Sequence, residues 1–230
     1  MTDRMILFDI DATLLTTGGK GFGAMIRAGK DLFGEHFNAE GVDRAGRLDP
    51  LIIADLFRVN RVELTLDRVA AFRSAYADRL KDSLAEGGAT ALPGVHDLLD
   101  SVMTETGPTC ALMTGNFAET ARLKLTAAGI DPDRFPFGVW GDDAREDPPS
   151  RDQLPGVALR RFADLRRVEA DPARVVVIGD TVHDISCARA WGCRVLAVAT
   201  GSYTREDLAG ADRVVDDLSD TDSILDWLLS

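Results

Sequence analysis

Four short apolar runs punctuate the chain, at residues 5–10, 109–113, 175–178 and 195–198, with a weaker fifth at 213–215. Their length and β-branched content predict buried strands. Between and after them, residues 95–104, 118–128, 154–165, 185–191 and 224–229 carry helical patterns. In the second of these, Phe117, Ala121, Leu125 and Ala128 fall at helical spacing and Gly129 ends the pattern. Buried strands alternating with helices predict an α/β fold, a doubly wound parallel sheet with helices on both faces.

The first two strands are separated by roughly 95 residues, too many for one crossover helix. That interval has no clear strand pattern. Apolar residues at 22, 25, 26, 32 and 33, an amphipathic stretch at 50–59, and Val69, Phe72, Tyr76 and Leu80 on one face of 66–84 predict helices. An all-helical insert over residues 16–88 is therefore expected within a core made of residues 1–15 and 89–230. Thr16-Thr17-Gly18-Gly19 and Glu86-Gly87-Gly88 bound it, and glycines at both edges suit hinges. The insert is either a mobile lid or a fixed second unit. It separates motifs that must meet, which favours the lid.

Composition narrows the partners. The 230 residues are 45% hydrophobic, enough for a substantial core. Thirty-eight acidic against 26 basic residues give a formal charge of −12. That field repels nucleic acid and anionic membranes, so neither is an expected partner. It also opposes an anionic substrate unless a metal ion or local cations reverse it at the site. Cys110, Cys187 and Cys193 form no CxxC pair, and an odd count predicts reduced, packed thiols and a cytoplasmic setting. The N-terminal apolar run is too short for a signal h-region or a membrane span. Oligomeric state is not legible.

Three segments carry candidate chemistry. Asp9 and Asp11 end the first strand, and in an open parallel sheet that end faces the ligand crevice. Residues two apart in an extended segment point to one face, and carboxylates so close resist joint ionisation without a cation. Mg²⁺, a hard dication with oxygen ligands, would relieve the repulsion. A solvated pair is the plainer reading of Asp-x-Asp alone; Thr13-Leu14-Leu15 and the downstream segments weigh against it. The second segment is Met113-Thr114-Gly115-Asn116, which follows a strand and opens a helix. Its hydroxyl, backbone N–H and helix N-terminus suit an anion, though plain N-capping by Thr114 or Asn116 would look the same. In the third, a β-branched strand ends in Gly179-Asp180-Thr181, with Asp184 about one helical turn on. Asp180 can complete a cation site begun by Asp9 and Asp11. Asp184 reads equally as a capping acid.

In order and spacing, DxDxT, hydrophobic-Thr-Gly-Asn and GDTxxD resemble the haloacid dehalogenase-like (HAD) hydrolases, in particular the phosphoglycolate phosphatase-like branch with its helical cap. The resemblance covers nearly the whole chain and implies a Rossmann-like core. It implies a phosphatase in which Asp9 attacks phosphorus and Asp11 serves as general acid and base. It places Mg²⁺ on Asp9, the backbone carbonyl of Asp11, and Asp180, with Asp184 helping directly or indirectly. Thr114, Gly115 and Asn116 would bind the phosphoryl group of a small phosphorylated metabolite. Two positions depart from the family pattern. Ala12 stands where glycine is usual, so the turn into the cap should be more restrained. No lysine follows residue 124, so Arg151, or failing it Arg145, is expected to replace the usual lysine. In the cap, the loop Ala45-Gly46-Arg47-Leu48-Asp49-Pro50 would face the site. Arg47 would meet a distal anion, or the loop is only a turn with Asp49 as N-cap and Pro50 at the first helical position. His183 reads as a local hydrogen-bonding residue. A phosphomutase shares these motifs. A phosphoacceptor signalling domain clusters similar groups but lacks the insert.

Overall fold

The computed structural model describes residues 4–104 and 106–230. Strand β1 (Met5–Phe8) leads to β2 (Leu15–Thr16), then to three helices, α1 (Lys20–Phe33), α2 (Asp49–Val59) and α3 (Leu66–Gly87). Strand β3 (Thr90–Ala91) returns the chain to α4 (Val95–Val102), β4 (Thr109–Met113), α5 (Ala118–Ala127) and β5 (Gly138–Val139). The remainder is α6 (Leu154–Arg166), β6 (Val175–Gly179), α7 (Val182–Ala190), β7 (Arg194–Val198), β8 (Arg213–Val215) and α8 (Thr221–Leu229).

Six strands form one sheet in the order β5-β4-β1-β6-β7-β8, every pairing parallel. All four residues of β1 are buried, as a strand covered on both faces must be. The period-2 alternation sorts them: Ile6 and Phe8 join one core with α4, α5 and α8, while Met5 and Leu7 join a second with α6 and α7. After β1 the sheet grows to one side through β4 and β5, then to the other through β6, β7 and β8. The switch point therefore lies at β1, and the crevice beyond the strand C-termini opens there.

The helices between β2 and β3 have a core of their own, built around Phe37, Phe57, Phe72, Tyr76 and Leu80. The Phe57 and Phe72 rings meet edge to face at 5.4 Å. Phe117 of the α5 N-terminus joins this cluster, so the insert is seated on the sheet layer through an aromatic contact. β2 and β3 pair antiparallel across the insert's two ends. These strands, and β5, have two residues each. They leave no periodic signal, and only a partner distant in sequence defines them. The segment read as a strand over 5–10 ends at Phe8, and Asp9 and Asp11 lie in the turn beyond it. Among the described residues no helix is long and apolar enough to cross a membrane. The three cysteines are free and buried.

Two glycines of α1 separate packing from propensity. A Cβ at Gly29 would lie 2.1 Å from the Phe37 ring, whereas one at Gly23 would meet nothing within 4 Å. Gly23→Ala is expected to stabilise the fold by about 0.5–1 kcal/mol through helix propensity. Gly29→Ala is expected to cost about 1–3 kcal/mol through overpacking. Urea unfolding of the two variants checks the opposite signs.

Candidate active site

Asp9, Thr114 and Asp180 each follow the C-terminus of a different sheet strand, β1, β4 and β6. Backbone pairing fixes two of them: the Asp9 N–H donates to Ile178 O at 2.9 Å and the Thr114 N–H to Val139 O at 3.0 Å. All three line one cavity of about 350 Å³, together with Asp11, Gly115, Asn116, Arg151, Arg47 and parts of the insert.

The carboxylates of Asp9, Asp180 and Asp184 converge, each offering an oxygen within 4.8 Å of the others, and all three are buried. Burial, only partly offset by Arg151, raises Asp9 to about 6, and the charges of Asp184 and Asp11 add to the rise. Burial likewise raises Asp180 to about 8, with help from Asp9 and Asp184. Converging acids pushed up by burial and by one another are a donor set that fits a hard cation. Space for Asp180 depends on Gly201, where a Cβ would come within 1.8 Å of its Oδ2.

Arg151 reaches this cluster from the turn before α6. Its Nη2 lies 3.0 Å from Asp9 Oδ1 and 2.5 Å from Asp184 Oδ1. The guanidinium is buried, and its Nε has no hydrogen-bond partner among the described residues. Asp184 is heavily engaged. Its Oδ2 accepts from the Thr181 N–H and hydroxyl at 3.1 and 2.6 Å in a capping box that starts α7, and its Oδ1 takes Arg151. It therefore anchors Arg151 and the start of α7 as well as bordering the cation cluster.

The second carboxylate of the motif faces another cation. Asp11 Oδ2 lies 2.5 Å from Lys124 Nζ, which also donates to Asn116 Oδ1 at 2.9 Å. Sequence reasoning passed over Lys124, yet a signal was present. Lys124 stands three residues after Ala121 and next to Leu125, on the apolar stripe of α5, and it is 3% exposed. Neither Thr114 nor Asn116 caps α5: its N-cap is Phe117, whose N–H donates to Asp49 Oδ2 at 3.2 Å. Asp49 is not the N-cap of α2 either, since Leu48 takes that position and Asp49 opens the helix. Its carboxylate crosses to the start of α5 instead.

Ala12 adopts φ 58°, the left-handed region that glycine usually fills. Thr200 Oγ1 donates to its carbonyl. Arg47 lines the cavity but pairs with Asp55 at 2.5 Å. Arg145 is not among the residues lining the cavity. His183 packs against the loop, because a Cβ on Gly46 would lie 2.6 Å from its ring, and its side chain makes no hydrogen bond among the described residues. The loop itself sits on Gly115, where a Cβ would be 2.2 Å from Arg47 O.

The fold and site thus define an α/β protein in which acids, a hydroxyl and a guanidinium converge at a parallel sheet's switch point. Known proteins agree. The HAD-hydrolase-like family matches residues 156–221. The chain is 29% identical over 229 residues to Protein CbbY of Cereibacter sphaeroides, covering 94% of this chain and 92% of that one. It is 28% identical over 145 residues to a phosphoglycolate phosphatase of Chromobacterium violaceum, covering 63% and 60%. A solved hydrolase from Pseudomonas syringae superposes with a TM-score of 0.74 at 23% identity, covering 99% and 100%. By these likenesses the chain is similar to the haloacid dehalogenase-like hydrolases.

Burial raises Asp49 to about 7, while the Lys124 charge and the Phe117 N–H act to lower it. A raised folded-state value means that its stabilising contribution is complete below the unfolded value of 3.8 and is lost as pH rises through about 7. Asp49→Asn keeps an acceptor for the Phe117 N–H and carries no charge. Thermal unfolding is expected to show the Asn variant gaining on the wild type from pH 4 to pH 8. A gap independent of pH would contradict this account of Asp49.

Proposed function

We propose that the protein is a Mg²⁺-dependent phosphatase that hydrolyses a small phosphomonoester through an aspartyl-phosphate on Asp9. The observation that carries this reading is the convergence of Asp9, Asp180 and Asp184 beside Thr114 and Arg151 in one cavity. The name of one relative, a phosphoglycolate phosphatase, supports a phosphoric monoester as the substrate class.

Asp9 acts as the nucleophile on phosphorus, held by the Arg151 guanidinium in the ionised form that attack requires. Asp11 gives a proton to the departing oxygen and then takes one from the water that cleaves the acyl-phosphate. Lys124, itself held by Asn116 Oδ1, holds Asp11 in place for both steps. The Thr114 hydroxyl and the backbone around Gly115 receive the phosphoryl oxygens. Arg151 Nε is a buried donor without a partner, a costly state that a substrate oxygen would end. Asp9, the Asp11 carbonyl and Asp180 would hold Mg²⁺, which supplies positive charge against the phosphoryl oxygens. Residues 16–88 serve as the cap, and the Gly46–Leu48 loop closes one side of the cavity.

Asp9→Asn is expected to lower Mg²⁺-dependent phosphate release from p-nitrophenyl phosphate by at least roughly 10³-fold with unfolding unchanged. Normal release by that variant excludes the scheme. Mg²⁺ binding has a pH signature as well. With folded-state values of about 6 and about 8, Asp9 and Asp180 lose stabilising power as pH rises through that range. A cation offsets this by binding the ionised forms. The rise in Tm on adding Mg²⁺ is expected to be larger at pH 8 than at pH 5.5. A rise independent of pH would remove this cluster as the binding site.

A further inference from the structure

The turn that carries Asp9 and Asp11 holds a conformation its residues would not choose. Among the described residues three that are not glycine have a left-handed φ, Ala12 at 58° and Arg61 and Arg167 at 55°. The two arginines follow α2 and α6, where a left-handed residue is an ordinary way to stop a helix. Ala12 ends no helix. It lies between Asp11 and β2, on the wall of the cavity. An alanine there is strained where a glycine is not, and such a residue persists only when its surroundings hold it.

Two contacts do so. The Ala12 N–H donates to Leu15 O at 2.8 Å, within the turn. The Ala12 carbonyl takes the Thr200 hydroxyl, from the loop between β7 and β8 and 188 residues away. That loop is itself anchored, since the Ala199 N–H donates to Val215 O at 2.9 Å. Its next residue, Gly201, makes room for Asp180. One loop outside the three motifs therefore touches the surroundings of two site acids.

The consequence reaches Asp11 through the backbone. Rotation about the Ala12 N–Cα bond swings the peptide plane that contains the Asp11 carbonyl. The Asp11 side chain is 42% exposed and is held at Oδ2 by Lys124. Lys124 thus fixes the carboxylate, and the conformation of Ala12 fixes the backbone from which it extends.

We propose that Thr200 is a positioning residue for the reaction: its hydroxyl pins Ala12 in the left-handed region and so sets where Asp11 presents its carboxyl and its carbonyl. This rests on the phosphatase reading. The pin lets alanine keep a turn that glycine would make unaided.

Thr200→Val removes the hydroxyl and keeps the shape. With Mg²⁺ and p-nitrophenyl phosphate it is expected to lower kcat roughly ten-fold with KM nearly unchanged, the loss of one hydrogen bond that acts in turnover rather than in substrate binding. Thr200→Ser keeps the donor and is expected to retain most of the activity. The decisive arm is Ala12→Gly. Glycine takes a φ of 58° without strain. Thr200→Val made in the Ala12→Gly background is therefore expected to lower kcat by about two-fold or less. A hydroxyl with a merely structural role would give the same loss in both backgrounds. An unchanged kcat in Thr200→Val, or an equal loss in the two backgrounds, overturns the assignment. Ala12→Gly alone is expected to raise Tm, since relief of the left-handed alanine exceeds the added freedom of glycine in the unfolded chain. A fall in Tm overturns the strain on which the assignment stands. A wild type that releases no phosphate from the ester overturns the phosphatase reading, and with it the role of Asp11, while the Tm of Ala12→Gly still reports on the turn.

Discussion

Buried carboxylates at the C-terminal edge of the sheet set the terms for everything around them. Asp9, Asp180 and Asp184 share one site, and Asp49 lies buried close by. A buried charge is tolerated only when it is paired, so cations must come to it. Among the described residues, Lys124 and Arg151 are the only buried cationic side chains; Arg151 pairs with the buried Asp9 and Asp184, and Lys124 with the partly exposed Asp11. One guanidinium bridges Asp9 and Asp184, and one ammonium holds Asp11. Burial first, and then the neighbouring carboxylates, raise Asp9 and Asp180 despite Arg151. The buried carboxylates are a donor set that would suit a dication, as the proposed reading requires.

The same crowding explains how the insert is tied to the site. Asp49 opens α2 and also binds the start of α5, the helix that carries Lys124. The Asp49 N–H donates to Gly115 O at 2.7 Å, and a glycine at 115 lets the Arg47 carbonyl approach. Arg73 of α3 pairs with Glu119 and Asp142 while its guanidinium lies over Phe117 at 4.0 Å. Movement of the insert would break these contacts together. Asp11 would feel such a movement through Asn116 and Lys124, and Asp9 through Arg151, whose Nη1 donates to Gly46 O at 3.4 Å.

Most of the sheet was legible because its strands are buried on both faces and read as unbroken apolar runs. The three motifs were legible because each sits where such a run stops. Elements defined from outside their own segment were not. Strands β2, β3 and β5 exist through their partners. Lys124 looked like one more basic residue on a helix, although its place on the apolar stripe of α5 marked it as buried. Asp49 read as a local cap because its true partner, Phe117, is 68 residues away. Arg151 is expected only through the resemblance, as the substitute for a lysine the chain lacks, while its second partner, Asp184, depends on the close packing of α7 on the turn before α6. Arg47 lines the cavity but is matched by Asp55, a pairing that its loop's own sequence did not signal.

The account turns on Asp9 as the atom acceptor. Rapid acid quenching of the Mg²⁺-loaded enzyme during turnover of p-nitrophenyl phosphate, followed by peptide mass spectrometry, tests this directly. One phosphoryl group on the Asp9 carboxylate, appearing and decaying within a turnover, is the result the account predicts. A phosphoryl group carried by another residue, or phosphate released with no covalent adduct at any time, would contradict it.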